Sequence, residues 1–217
     1  DGDAGMSVIF KDFLTHTSVQ ILFLALFTSL AAISELAVWG HWPWLVLVVV
    51  SAPFYEWITH KFVLHGALSP MPGRWRDYQI RLHYGHHLDP GNRALQFAPA
   101  SAILIMMVQL YLFYALVCWS ITVALVPLAG SIAYYLFYEW VHLAHHTPAY
   151  RPRTRMGVAL RDAHMRHHFH NENYNWGITN ALGDMILGTW KHLDEIPKST
   201  TARHLDNFNP QNRNSGM

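Results

Sequence analysis

Residues 94–138 read ALQFAPASAILIMMVQLYLFYALVCWSITVALVPLAGSIAYYLFY, 45 residues without an Asp, Glu, Lys or Arg. Crossing a bilayer as a helix takes about 20 apolar residues. The stretch is therefore long enough for two crossings, with a turn near Cys118 to Thr122. The pattern recurs upstream: no acidic or basic residue stands between Asp12 and Glu35, nor between Glu35 and Glu56. The expected fold is all-α, with four transmembrane helices at 17–38, 43–63, 95–117 and 121–141 forming two hairpins. Composition agrees, at 52% hydrophobic and 13% charged residues, where a soluble domain carries about 25% charged.

The distribution of charge orients these helices. The Lys and Arg residues lie before the first helix, from the end of the second to the start of the third, and after the fourth. The links at 39–42 and around Cys118 hold none. The positive-inside rule makes the basic segments cytoplasmic. Trp39, Trp42 and Trp44 fall at one boundary, as interfacial aromatics do, and Pro43 can open the second helix without losing a needed hydrogen bond. The first helix carries no cleavage-site pattern and is expected to stay. We read 1–217 as a single integral membrane domain. Asp1 to Gly5, ahead of Met6, read as an expression scar or trimmed end, and 198–217 as a loosely ordered tail containing Asn, Ser and Pro. The net charge of +1 points to no nucleic acid, and the single cysteine, Cys118, excludes a disulfide framework or a cysteine metal site.

The outlier is histidine, with sixteen residues. Four groups stand out: His60 and His65; His83, His86 and His87; His142, His145 and His146; His164, His167 and His168. Residues three and four apart share a helix face. So His83, His86 and His87 can face one centre, as can His164, His167 and His168, while His142 and His146 lie one turn apart. His60 and His65 are about 140° apart round a straight helix, and converge only across a distorted turn or between two facing metals. All four groups fall on the expected cytoplasmic side. Neutral imidazole is the commonest biological metal ligand. Ten ligands, His60, His65, His83, His86, His87, His142, His146, His164, His167 and His168, are too many for one ion and suit two ions with about five each, leaving room for oxygen or water.

Ligand histidines usually donate their second N–H to a carboxylate or carbonyl. Glu56, Glu139, Asp162 and Asp184 are close enough in sequence to serve, and His145 is a candidate for the same supporting layer. His170, His192 and His204 are read as non-ligands, and His16 and His41 as interfacial. Glu35, at the end of the first helix, is an intramembrane carboxylate that can reach water. The tetrapeptide Phe-Tyr-Glu-Trp occurs at 54–57 and at 137–140, each time just before histidines. That echo suggests two hairpins supplying matching halves of one site.

These motifs resemble the fatty acid hydroxylase/sterol desaturase superfamily, and most closely the fatty acid 2-hydroxylases. The resemblance runs from about Tyr55 to Trp190. The family pattern HxxxxH, HxxHH, HxxxH, HxxHH stands here as His60/His65, His83/His86/His87, His142/His146 and His164/His167/His168. Asp89-Pro90 after the second box and Asn175-Trp176-Gly177-Ile178-Thr179 after the last also match. The resemblance implies four transmembrane helices under a cytosolic helical cap holding two metals. It implies molecular oxygen and a lipid substrate hydroxylated on its acyl chain, at C2 in the nearest relatives. Iron is expected for activity, although imidazole suits zinc equally and a purified sample can hold zinc. Some relatives carry an N-terminal b-type haem domain and this sequence shows none, so a separate electron donor, a b-type cytochrome or a ferredoxin with its reductase, is expected. The membrane that fits is a bacterial inner one. The superfamily also contains sterol, carotenoid and polar head-group hydroxylases, and desaturases are near rivals. A non-enzymatic metal-handling protein is the other class, but it needs ligands along a transmembrane path. Met106, Met107, Phe113, Phe137 and Trp140 are candidates to line an acyl space, and Arg74, Arg76 and Arg81 to meet a head group.

Overall fold

The computed structural model describes residues 2–208, and no strand occurs among them. Two compact units divide the chain, one of residues 1–55 and 97–150, the other of residues 56–96 and 151–217.

The first unit opens with α1 (Gly2–Thr15) and α2 (Thr17–Glu35). The segment expected to be an N-terminal remnant thus contributes residues 2–5 to α1, while Asp1 lies outside the described residues. His16 breaks the two helices apart: its Nδ1 accepts from Ser18 N at 3.3 Å and caps α2. A short 3₁₀ segment, Trp39–Trp44, leads into α3 (Leu45–Ile58). After the second unit's first segment come α7 (Ala100–Val117), opened by Pro99, and α8 (Leu125–His145), with Pro127 in its first turn where no donor is lost.

Leu22, Ile103, Ile132 and Leu143 are buried at the centre of this unit. Ser18 Oγ donates to Ala98 O at 2.7 Å, and Tyr114 meets Ser131 at 2.8 Å. Outside, Leu24, Phe27, Val49 and Leu116 are each more than 60% exposed. Large apolar side chains set outward on helix after helix need a non-aqueous neighbour. Two segments, Thr17–Glu35 and Arg93–Val117, are long and apolar enough to cross a membrane. The other two expected spans differ for identifiable reasons. The α-helical part of α3 is only 14 residues before its backbone changes hydrogen-bond pattern. α8 has 21 residues but carries Tyr134, Tyr135, Tyr138 and Glu139 from its middle onward. Trp140, a candidate acyl contact, instead packs on Phe10 and Phe13 of α1.

The second unit begins in the last turn of α3 and continues as a π-helix, Thr59–Leu64. It then holds α4 (Arg74–Gln79), a second π-helix at Ile80–Tyr84, α5 (Gly85–Leu88) and α6 (Arg93–Gln96). Its later segment supplies α9 (Arg155–Phe169) and α10 (Leu182–Ile186). Thr154 caps α9 by accepting from Gly157 N. From Lys198 to Phe208, part of the stretch expected to be a loose tail, Ala202, Leu205 and Phe208 are buried. Asp206 Oδ2 accepts from Leu68 N at 3.0 Å and from Tyr84 Oη at 2.8 Å, tying this segment down. Residues 209–217 lie outside the described residues.

Candidate metal centre

His60 and His65 come together because the helix between them is widened. His65 N donates to His60 O at 3.1 Å, an i→i−5 bond, and the two rings stand 5.1 Å apart by centroid. Such π turns concentrate at functional sites because they re-aim side chains without breaking the helix. This is the distorted turn that the five-residue spacing requires. The second π-helix does the same for His83, and α5 follows directly with His86 and His87.

Within the second unit, His60, His65, His83, His87 and His167 gather with one ring nitrogen each, all within 4.8 Å of one another. His86, His164 and His168 form a separate gathering under the same limit. The expectation that each HxxHH triplet serves one centre is therefore corrected. His83 and His87, one turn apart, face the first gathering, and His86 turns to the other. His164 and His168 likewise part from His167 between them. On a helix, i+3 and i+4 both neighbour i but lie on opposite sides of it, about 100° apart, so the two can face different centres.

The nitrogens that face inward are decided by backbone carbonyls. His60 Nδ1–H donates to Trp176 O at 2.6 Å, His87 Nδ1–H to Ala202 O at 2.8 Å, and His167 Nδ1–H to Tyr174 O at 2.9 Å. With Nδ1 committed as donor, each Nε2 carries a lone pair. These lone pairs converge: His60 Nε2 lies 3.1 Å from His83 Nε2, and His167 Nε2 lies 3.1 Å from His65 Nε2. His87 Nε2 is buried without a hydrogen-bond partner. Metal–nitrogen bonds of about 2.1 Å place neighbouring ligand nitrogens roughly 3 Å apart, so the donor set fits a transition-metal ion.

Burial enforces the neutral imidazoles that metals require. It holds the His65 and His83 rings well below the ordinary histidine value, with further lowering from neighbouring histidines. Burial also brings His87 down to about 3, against an opposing pull from the Ala202 carbonyl. A folded pKa below the unfolded one means that the unfolded chain binds the extra proton first. The contribution is complete above the unfolded value of 6.5 and is lost as pH falls from 6.5 towards about 3. Metal-stripped protein should accordingly melt at progressively lower temperature between pH 7 and pH 4. A melting midpoint flat across that range would contradict the buried neutral rings.

The carbonyl at Trp176 is in turn held by two carboxylates singled out from the sequence. Asp184, fully buried, accepts from Trp176 N at 3.0 Å, Gly177 N at 2.6 Å and Thr189 Oγ1 at 2.6 Å. Burial pushes its carboxyl up, and the bonds from Thr189, Gly177 and Trp176 pull it back. Glu56 accepts from Ile178 N, from Thr179 N at 3.0 Å and from Thr179 Oγ1 at 2.6 Å. Both therefore act on the loop 176–179 rather than on an imidazole directly. Gly177 is needed there: a Cβ would stand 2.1 Å from Asn180 O and 3.0 Å from Asp184 Oδ2. Gly177→Ala should lower stability by about 1–3 kcal/mol and lower metal retention with it, read by calorimetry and metal analysis. Unchanged retention would separate the loop from the site.

The other candidates divide clearly. Asp162 is exposed on α9, where it supports no histidine. Glu139 is buried in the first unit and accepts from Ala98 N at 3.3 Å. His142 and His146 share a face in the last turn of α8, with ring centroids 4.9 Å apart, and His145 beside them is buried. His170 bonds Ile196 O, while His192 and His204 are exposed. Arg76 is committed to the Ser69 carbonyl. A cavity of about 400 Å³ opens beside His65, lined by Lys61, Glu172, Trp176 and Thr201 among others. The parts absent from the sequence reading are the carbonyls of Tyr174, Trp176 and Ala202. Every residue carries such a group, so no residue type could have signalled them.

A sequence model of the fatty acid hydroxylase family matches residues 44–189, which include all ten candidate ligands. The chain belongs to the fatty acid hydroxylase family. Among similar proteins, this hydroxylase-family chain is 26% identical over 147 residues to a dihydroceramide fatty acyl 2-hydroxylase of Arabidopsis thaliana, covering 68% of this chain and 60% of that one. It is 28% identical over 159 residues to a fatty acid 2-hydroxylase of Mus musculus, covering 70% and 41%. The chain thus spans under two thirds of the length of these relatives. A solved structure of full-length scs7p, in which only the hydroxylase domain is visible, matches with a TM-score of 0.67 at 22% identity, over 84% of this chain and 67% of that one. That likeness concerns the fold.

Proposed function

We propose that this protein is a membrane-bound hydroxylase that inserts oxygen from O₂ into a C–H bond of a lipid acyl chain. The observation that carries the reading is the gathering of His60, His65, His83, His87 and His167, in which His60, His87 and His167 tie Nδ1–H to carbonyls and so leave Nε2 lone pairs free to ligate, on a chain of the fatty acid hydroxylase family. These five histidines hold one ion. His86, His164 and His168 serve a second ion, and His142 and His146, one turn apart at the end of α8, keep the ligand spacing of the family's third box. Two bound metals, iron for turnover, supply the redox chemistry that activates oxygen. The balance is one C–H bond, O₂, two electrons and two protons giving one C–OH bond and water, with the electrons delivered by a separate one-electron donor protein.

The chain's own contribution is positional. Trp176, Tyr174 and Ala202 carbonyls fix ring orientation, Asp184 and Glu56 hold the loop that presents the first of them, and burial keeps the rings neutral. The relatives' names support an acyl chain linked as in dihydroceramide, or a fatty acid itself, as substrate, with carbon 2 as the position attacked. Four spans with the histidines on the cytoplasmic face remain the topology that the Lys and Arg distribution favours. The test loads iron anaerobically, then supplies a donor, O₂ and acyl lipids in bilayers. Mass spectrometry should find hydroxylated acyl chains. Iron-loaded protein that forms no hydroxylated product from fatty acids or ceramide-type lipids would refute the reading.

A further inference from the structure

The short helix α10 and the turn after it present four large apolar side chains outward: Leu182 is 47% exposed, Met185 65%, Ile186 60% and Leu187 45%. This is an ordered feature. Its inner face is Gly183 and the fully buried Asp184. Met185 N donates to Ala181 O, Leu187 N to Gly183 O, and both Thr189 N and Trp190 N to Asp184 O. Gly188, at φ +72°, supplies the left-handed turn that ends the segment. The backbone is thus pinned from behind while the apolar face has nothing of its own unit over it.

We propose that Leu182–Leu187 is a wedge that the histidine-bearing unit inserts into the head-group boundary of a lipid monolayer. Two observations choose lipid as the occupant. The wedge joins the end of an apolar helix: Trp57 Nε1, in the last turn of α3, donates to Thr189 Oγ1 at 2.9 Å, and Ile58 beside it is 50% exposed. The wedge is also followed, after Gly188 and Thr189, by Trp190 and Lys191, an amphipathic ring and a cation of the kind that settle among head groups and phosphates. The anchorage runs on into the metal site, because the Asp184 carboxylate that pins α10 also accepts from Trp176 N, and Trp176 O receives His60 Nδ1–H. Lipid contact at the wedge and ring orientation at His60 therefore share one rigid link.

The inference does not depend on hydroxylation, and its test reads lipid contact alone. In a Cys118→Ser background, Met185→Cys and Leu182→Cys proteins carry an environment-sensitive fluorophore, with Arg153→Cys as an exposed comparison in a polar loop. The full chain is placed in phosphatidylcholine vesicles containing acyl-brominated lipid. Labels at both wedge positions should emit further to the blue and be quenched about threefold or more above the Arg153→Cys label by bromolipid, while resisting aqueous iodide. Two results overturn the proposal. Iodide quenching equal to that of the comparison would place the wedge in water. Shielding from both quenchers would place it against protein, a second copy or a partner. Using two wedge positions keeps the test decisive if one labelled variant fails to fold.

Discussion

His83→Ala should leave the protein with about one metal equivalent in place of two, and with hydroxylation reduced by roughly a hundredfold or more. His83 packs against three other members of its gathering. Its Nε2 is 3.1 Å from that of His60, and its ring centroid is 4.9 Å from His65 and 4.8 Å from His87. It is almost fully buried, so no water-exposed side chain can swing in to replace it. Losing one of five nitrogens also removes a neighbour that keeps the remaining lone pairs converged. Metal content by elemental analysis and hydroxylated lipid by mass spectrometry check the two parts separately. His192→Ala, at an exposed position outside both gatherings, should change neither. Full metal content in His83→Ala would remove His83 from the ligand set.

Asp184→Ala should be nearly as severe, without touching a single imidazole. The substitution strands two buried donors, Trp176 N and Gly177 N, and the half-buried Thr189 Oγ1. Stranded buried donors cost about 1–3 kcal/mol each, so a loss of about 3 kcal/mol or more in stability is expected. Freed from Asp184, the Trp176 carbonyl no longer holds His60 Nδ1, and metal affinity should fall about 10–100-fold, as supporting-layer changes do. Asp184→Asn keeps the shape and one carbonyl acceptor, and should recover part of both. Thermal unfolding and metal competition titration measure them. If Asp184→Ala kept wild-type metal affinity, the chain from carboxylate to loop to imidazole would be broken as an explanation.

How much of this was legible beforehand varies residue by residue. The charge-free runs announced α2 and α7, because a bilayer-crossing helix excludes ionised side chains from its length. The position of α8 was legible too, but its tyrosines and Glu139 make its composition that of a mixed helix. The stretch from Lys198 reads as polar tail, yet Ala202 supplies a carbonyl to His87 and Asp206 holds Tyr84. Those roles depend on contacts more than a hundred residues apart, which local composition does not carry. Glu56 and Asp184 were visible as candidates, whereas Asp162, equally acidic and equally close to a histidine box, faces solvent. Proximity in sequence sets which carboxylates can reach, not which do.

By itself, the sequence determined an all-helical chain, apolar segments long enough for a bilayer, ten histidines at ligand spacing and the family to which they belong. Those properties follow from residue type and helical period, which are local. Only the tertiary structure decided which imidazoles share a centre, that widened turns bring His60 to His65 and aim His83, and that carbonyls of Tyr174, Trp176 and Ala202 choose the ligating nitrogen. Those outcomes depend on backbone hydrogen bonds between distant segments, and every residue type offers the same carbonyl until folding places it.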